Sequence, residues 1–242
     1  MPEPDETLIP FIHNYCDRWC ERCEFTQRCH VFAMEAEMSD EDKDIENGNF
    51  ARTISNILDD ARSMLAEKAE EFGIDLSQIP DAEMMESRDR KRKMVRSDEL
   101  DEMATGYALA AGPILESIRE TLPTSTSEDL ATDEMFQILG WYLFFISAKI
   151  QRGLNGIFDD DGDEDWDELN DVQSDANGSV KIALIAIERS ILAWTYIMPD
   201  GGSEDIRSMI DLLERIRTRT EEKFPIARQF IRPGFDELEM VM

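Results

Sequence analysis

The chain has 242 residues, enough to bury one good-sized core with a small module appended, and 42% of them are apolar, which excludes a disordered protein. Acidic residues outnumber basic ones 54 to 25, for a formal charge of -29. A field of that sign repels nucleic-acid phosphates and anionic lipid and attracts cations and basic proteins, so no nucleic-acid or membrane role is expected.

Met1 to Asp5 has neither a basic n-region nor an apolar h-region, and the longest apolar run, Ile138 to Ile146, is too short to span a bilayer. The chain is therefore expected to be cytoplasmic, where clustered cysteines serve metal or redox chemistry more often than disulfides. The only cysteines, Cys16, Cys20, Cys23 and Cys29, are spaced C-x3-C-x2-C-x5-C within fourteen residues. Four thiols so confined point to one metal centre. On a helix, positions 16, 20 and 23 fall within about 60° of one another, so three sulfurs are expected on one helical face, with a turn near Phe25 to Gln27 bringing Cys29 round. Arg18, Arg22 and Arg28 are placed to stabilise thiolates, and Phe11, Tyr15, Trp19, Phe25 and Phe32 to exclude water. His13 and His30, the only histidines, flank the cluster as weaker candidate ligands.

Structural zinc usually takes two separated cysteine pairs, whereas iron–sulfur clusters more often draw their ligands from one short run. The spacing thus favours a [4Fe-4S] cluster, with zinc as the alternative. Cys16-Asp-Arg-Trp-Cys20-Glu-Arg-Cys23 resembles the C-x3-C-x2-C motif of radical SAM enzymes. The stretch from Cys20 to Cys29 resembles the C-x2-C-x5-C run of WhiB-like regulators and of auxiliary clusters in SPASM domains. Both resemblances imply an iron–sulfur cluster. They cover some fifteen residues, and Glu24 stands where those motifs commonly have proline. No β/α barrel pattern, glycine-tryptophan turn or basic tail accompanies them, so neither family is assigned.

The module is expected over residues 1–38, an acidic connector over 39–49 and a helical bundle over 50–242. Ile54, Ile57, Leu58, Ala61, Met64 and Leu65 form an amphipathic stripe that ends at Gly73. Asp75 to Met85 is expected to be a loop. Arg88 to Arg96 holds six basic residues in nine, either paired with the molecule's own carboxylates or open to an acidic partner. Further helices are expected over 98–122, with a kink or break at Pro113, over 127–152, over 177–197 and over 203–224. The fold class is all-α, a bundle of about five main helices with a small N-terminal four-cysteine helix-loop module.

Between the third and fourth of these lies Asp159 to Glu168. With Gly162 at loop position 6, position 1 of an EF-hand would be Ile157, which offers no oxygen, so a solvated acidic loop is the expectation. No Glu-x-x-His pair, no histidine after position 30 and no phosphate-binding glycine pattern occurs, which excludes ferritin-like di-iron centres, His-based triads and nucleotide-binding loops. Gln137, Lys149, Glu188 and Arg189 interrupt apolar helices, and Lys149 is expected to pair with Glu188. The expected function is redox, either electron transfer or sensing, with a protein partner that is basic or itself a redox protein. Catalysis is not favoured. An enzyme reading would make it an iron–sulfur oxidoreductase with a pocket at Lys149, Glu188 and Arg189 beside the sulfurs.

Overall fold

A computed structural model of the chain describes residues 7–39, 44, 46, 48–73, 82–121, 129–158, 171–198 and 203–236. Among them are seven α-helices, four 3₁₀ turns and no strand, so the molecule is all-α. The helices are α1 (His30–Glu37), α2 (Gly48–Phe72), α3 (Ala82–Arg96), α4 (Glu99–Thr121), α5 (Asp129–Ile157), α6 (Asp175–Ile197) and α7 (Glu204–Lys223). None of the described helices is long and apolar enough to cross a membrane. The acidic run from Asp159 to Glu168 and most of the connector lie outside the described residues.

Two expectations about helix limits are corrected. The segment expected to be a loop as far as Met85 is already helical at Ala82, and the basic block lies inside α3. Its residues are strong helix formers, and no proline or glycine interrupts them. Nor does Pro113 divide α4, which runs unbroken through it. Proline at 113 frees the carbonyl of Leu109, and both residues are exposed, so water can satisfy that oxygen without a break.

By contacts the chain divides into two compact units. The first comprises Met1–His13 and Trp19–Asp89, the second Asn14–Arg18 and Arg90–Met242. In the first, α2 stops at Gly73, whose φ of +67° is the left-handed conformation that glycine supplies at a helix end, and the Gly73 N–H donates to Glu70 O at 3.1 Å. The stripe on α2 is left open. Ile54, Ile57, Leu58, Met64 and Leu65 are all exposed, and Ala69 is the buried residue of this helix.

In the second unit α4, α5, α6 and α7 close a ring: α4 packs on α5, α5 on α6, α6 on α7 and α7 back on α4. Arg152 near the end of α5 pairs with Asp175 at the start of α6, and Lys223 at the end of α7 pairs with Asp98 just before α4. These pairs make the α5–α6 and α7–α4 neighbours antiparallel. The core is aliphatic and aromatic, with Leu139, Ile146, Ile150, Leu154, Leu184, Ile187 and Ile216 fully enclosed. Its largest side chain, Trp194, donates from Nε1 to the Tyr107 hydroxyl at 3.0 Å, so its one polar group is satisfied where water cannot reach. Burial pushes the Tyr107 phenol up to about 12, which keeps it neutral.

Helix α6 sits centrally because small residues let its neighbours approach. A Cβ at Gly178 would lie 2.5 Å from Tyr15 Cε1 and 2.7 Å from the Phe230 ring. Gly153 on α5 has a similar role, since its Cβ would meet Val180 Cγ2 at 2.4 Å. Ser174 caps α6, its hydroxyl accepting from the Asn177 N–H at 3.2 Å.

Candidate functional site

The cysteine segment does not fold as the helix its spacing suggested. Arg18 has φ +59°, a left-handed conformation that ends any helical path between Cys16 and Cys20, and Cys16 lies in a bend. Beyond it come two 3₁₀ turns, Cys20–Arg22 and Thr26–Arg28. The Cys23 N–H donates to Cys20 O at 3.2 Å and the Cys29 N–H to Thr26 O at 3.2 Å. Cys29 then precedes α1, its own carbonyl accepting from the Ala33 N–H at 3.0 Å. Cys20 and Cys23 thus open and close one turn, and side chains three apart eclipse in a 3₁₀ helix. The four cysteines are half-buried, and none is joined in a disulfide.

Of the arginines placed near the sulfurs by sequence, Arg18 acts on the Cys16 thiol, while Arg22 and Arg28 have other partners in the first unit. The Arg22 guanidinium stacks over the Trp19 ring at 3.9 Å. Arg28 Nε donates to Thr7 O at 3.1 Å, and the Ile9 N–H donates to Arg28 O at 2.9 Å, which ties the start of the described chain to the second turn. In number and chemistry the four thiols fit a soft metal or an iron–sulfur cluster. Among the described residues no three Cys, His, Asp or Glu side chains are grouped to hold a metal ion.

Cys16 belongs to a short strap, Asn14 to Arg18, that is part of the second unit. The Tyr15 ring meets Phe230 with centroids 4.6 Å apart, and its hydroxyl donates to Asp175 Oδ1 at 3.1 Å. Lys149 Nζ donates to Asn14 O at 2.9 Å, and Trp141 Nε1 to Asp17 O at 2.8 Å. Asp17 Oδ2 accepts from the Tyr142 hydroxyl at 2.7 Å and from Arg189 at 2.9 Å, while Arg189 also donates to the Tyr142 oxygen at 2.6 Å. Burial, and next the hydrogen bond to the Asp17 carboxylate, push the Tyr142 phenol up to about 12. It therefore stays protonated and can serve as the donor in this triangle.

These contacts replace the expected Lys149–Glu188 pair. Glu188 instead accepts from Arg228 at 2.7 Å, and Arg228 also reaches Glu221 at 2.6 Å. Lys149 points to a strap carbonyl, and its pKa is lowered, first by burial and then by Arg152 nearby. Of the polar residues singled out in apolar helices, Arg189 is the one beside a sulfur-lined cavity. That cavity measures about 90 Å³ and is lined by Cys16, Asp17, Tyr142, Ile182, Ala186, Arg189, Arg232 and Phe235, among others. Burial raises the pKa of the Cys16 thiol, although the Arg18 backbone hydrogen bond and charge act the other way.

Sequence reasoning missed the Asp17–Tyr142–Arg189 triangle, because Asp17 lies in a segment without periodicity. The available signal was Arg189 itself, a cation that has to find a carboxylate when it interrupts an apolar helix. Comparison with protein-family models, curated proteins and solved structures finds no match to this chain.

Proposed function

We propose that Cys16, Cys20, Cys23 and Cys29 bind a metal centre, a [4Fe-4S] cluster, and that the protein serves as an electron carrier or redox sensor for a protein partner. The observation that carries this reading is the confinement of every cysteine, all unbridged, to one fourteen-residue segment, with two of them at the ends of a single 3₁₀ turn. Such a cluster supplies one-electron exchange when bound. The residues of the chain would supply the thiolates and partial shielding from water. Binding of such a centre would be coupled to the ordering of the segment that carries its thiolates.

A structural zinc site on a partner-binding adaptor is the second reading. It is favoured by the Cys20–Cys23 pair, whose C-x2-C spacing across a tight turn suits tetrahedral zinc.

Anaerobic purification with elemental analysis separates the two. The cluster reading expects brown protein, broad absorption near ~400 nm and iron with acid-labile sulfide, all lost when any one cysteine is changed to serine. Colourless protein containing zinc replaces the first reading with the second. Protein that takes up neither metal overturns both.

A further inference from the structure

We propose that the outer face of α3 between Arg90 and Arg96 is a docking surface for an acidic peptide segment of a partner protein. Val95, 3% exposed, anchors this part of α3 in the core of the second unit, while Arg90, Arg92, Lys93 and Arg96 are exposed. Arg90, Lys93 and Arg96 follow one another at three-residue steps, a ladder about 9 Å long by the helical rise, with Arg92 one turn before Arg96. Met94, also exposed, lies one turn beyond Arg90 at the edge of the ladder.

What sets these cations apart is their clustering, among six basic residues in nine, in a chain with twice as many acids as bases. Arg152, Arg189, Arg217, Arg219, Arg228 and Arg232 each hold a carboxylate. Among the described residues, Arg90, Arg92, Lys93 and Arg96 form no ion pair, although Asp89 lies within one turn of the first three and Arg96 acts through its charge on Asp101. Guanidinium groups bind carboxylates through paired hydrogen bonds, and Arg92 and Arg96, one turn apart on the helix with Lys93 beside them, present two such groups on one side.

The charge of the whole molecule selects the kind of anion. A nucleic-acid duplex carries one charge per about 1.7 Å and would bring its neighbouring phosphates within a Debye length, about 8 Å, of a chain that is otherwise strongly negative. A short acidic peptide covers the ladder with a few carboxylates and leaves the rest of the surface alone. Apolar residues interleaved with those carboxylates would rest on Met94.

The test is fluorescence anisotropy of a short labelled peptide of Glu and Leu against the full chain, at low and at raised salt. Saturable binding that weakens with salt is expected, with an affinity loss of about tenfold or more in the double variant Arg92→Glu, Arg96→Glu. Helicity by circular dichroism should be unchanged, because both positions are exposed. The control is Arg119→Glu near the far end of α4, an exposed cation about 30 Å along that helix from α3, which should bind as the parent does. No binding by the parent chain overturns the proposal, and so does an equal loss in the control. Tighter binding of a single-stranded oligonucleotide than of the peptide also overturns it, in favour of nucleic acid. Self-association of the parent abolished by the double variant would instead make a second copy of this chain the occupant.

Discussion

Helices α2 and α6 are nearly equal in length, at 25 and 23 residues, and both show apolar residues at helical spacing, yet their surroundings are opposite. Thirteen residues of α6 are buried, including Trp194, whereas α2 buries Ala69. The difference lies in what surrounds the apolar positions. In α6 apolar and small residues run round most of the helix, interrupted by Lys181, Glu188 and Arg189, so neighbours can close in on several sides, and Gly178, Ser179, Ala183 and Ala186 leave room for them. In α2 a stripe of large residues shares the helix with Asp59, Asp60, Glu67, Glu70 and Glu71, so at most one side can be covered. Periodicity specifies that a face exists. It does not specify that anything lies against it.

The sharpest way to break this contrast is truncation at matched sites. Trp194→Ala removes a fully enclosed side chain and is expected to cost about 3–5 kcal/mol in urea denaturation. Leu65→Ala on the open stripe should cost less than about 0.5 kcal/mol. A large loss at Leu65 would mean that the stripe is covered in solution.

Next in size is an acid effect at the edge of the bundle. Burial alone would raise the Asp236 pKa, but hydrogen bonds from Arg232 and Lys181 outweigh it and hold the carboxyl at about 2. The value is depressed, so the stabilisation is complete above the unfolded value near ~4 and is lost as pH falls from about 4 towards 2. On the order of 2 kcal/mol is expected to disappear across that window. The variant Asp236→Asn should be less stable than the parent at neutral pH, and the gap should close in acid, as read from denaturation midpoints across the pH range.

Asp101 shifts in the opposite direction. It is 4% exposed, its Oδ1 accepts no hydrogen bond, and burial raises its pKa. Its ionisation therefore weakens the fold as pH rises through the unfolded value. Asp101→Asn should stabilise the bundle by about 1 kcal/mol at neutral pH, and the gain should fade in acid. Smallest is Tyr142→Phe, which removes one of the two side-chain donors on Asp17 and should cost about 1 kcal/mol or less, since Arg189 still reaches that carboxylate.

The bundle was legible in the sequence because long helices carry many turns of pattern. The ends of α4, α6 and α7 fall within two residues of expectation, and Gly73 stops α2 by the glycine mechanism. The cysteine segment was not legible in the same way. Cys16, Cys20 and Cys23 fit a helical face as i, i+4 and i+7, but three positions over two turns are too few to exclude another backbone, and one left-handed residue at Arg18 makes that face impossible. Lys149 and Glu188 were recognised as needing partners, and both have them. Which partners they take depended on a strap carbonyl and on Arg228, and helical periodicity carries no information about either.

The strap from Asn14 to Arg18 has a practical consequence for anyone seeking the bundle alone. A shortened chain beginning at Gly48 would not be a cleaner version of the second unit. It would leave Arg189 without its carboxylate, Lys149 without its carbonyl, and a slot above Gly178 where the Tyr15 ring now lies against Phe230. Minimal versions of this protein should retain those first residues, even where the cysteines themselves are replaced.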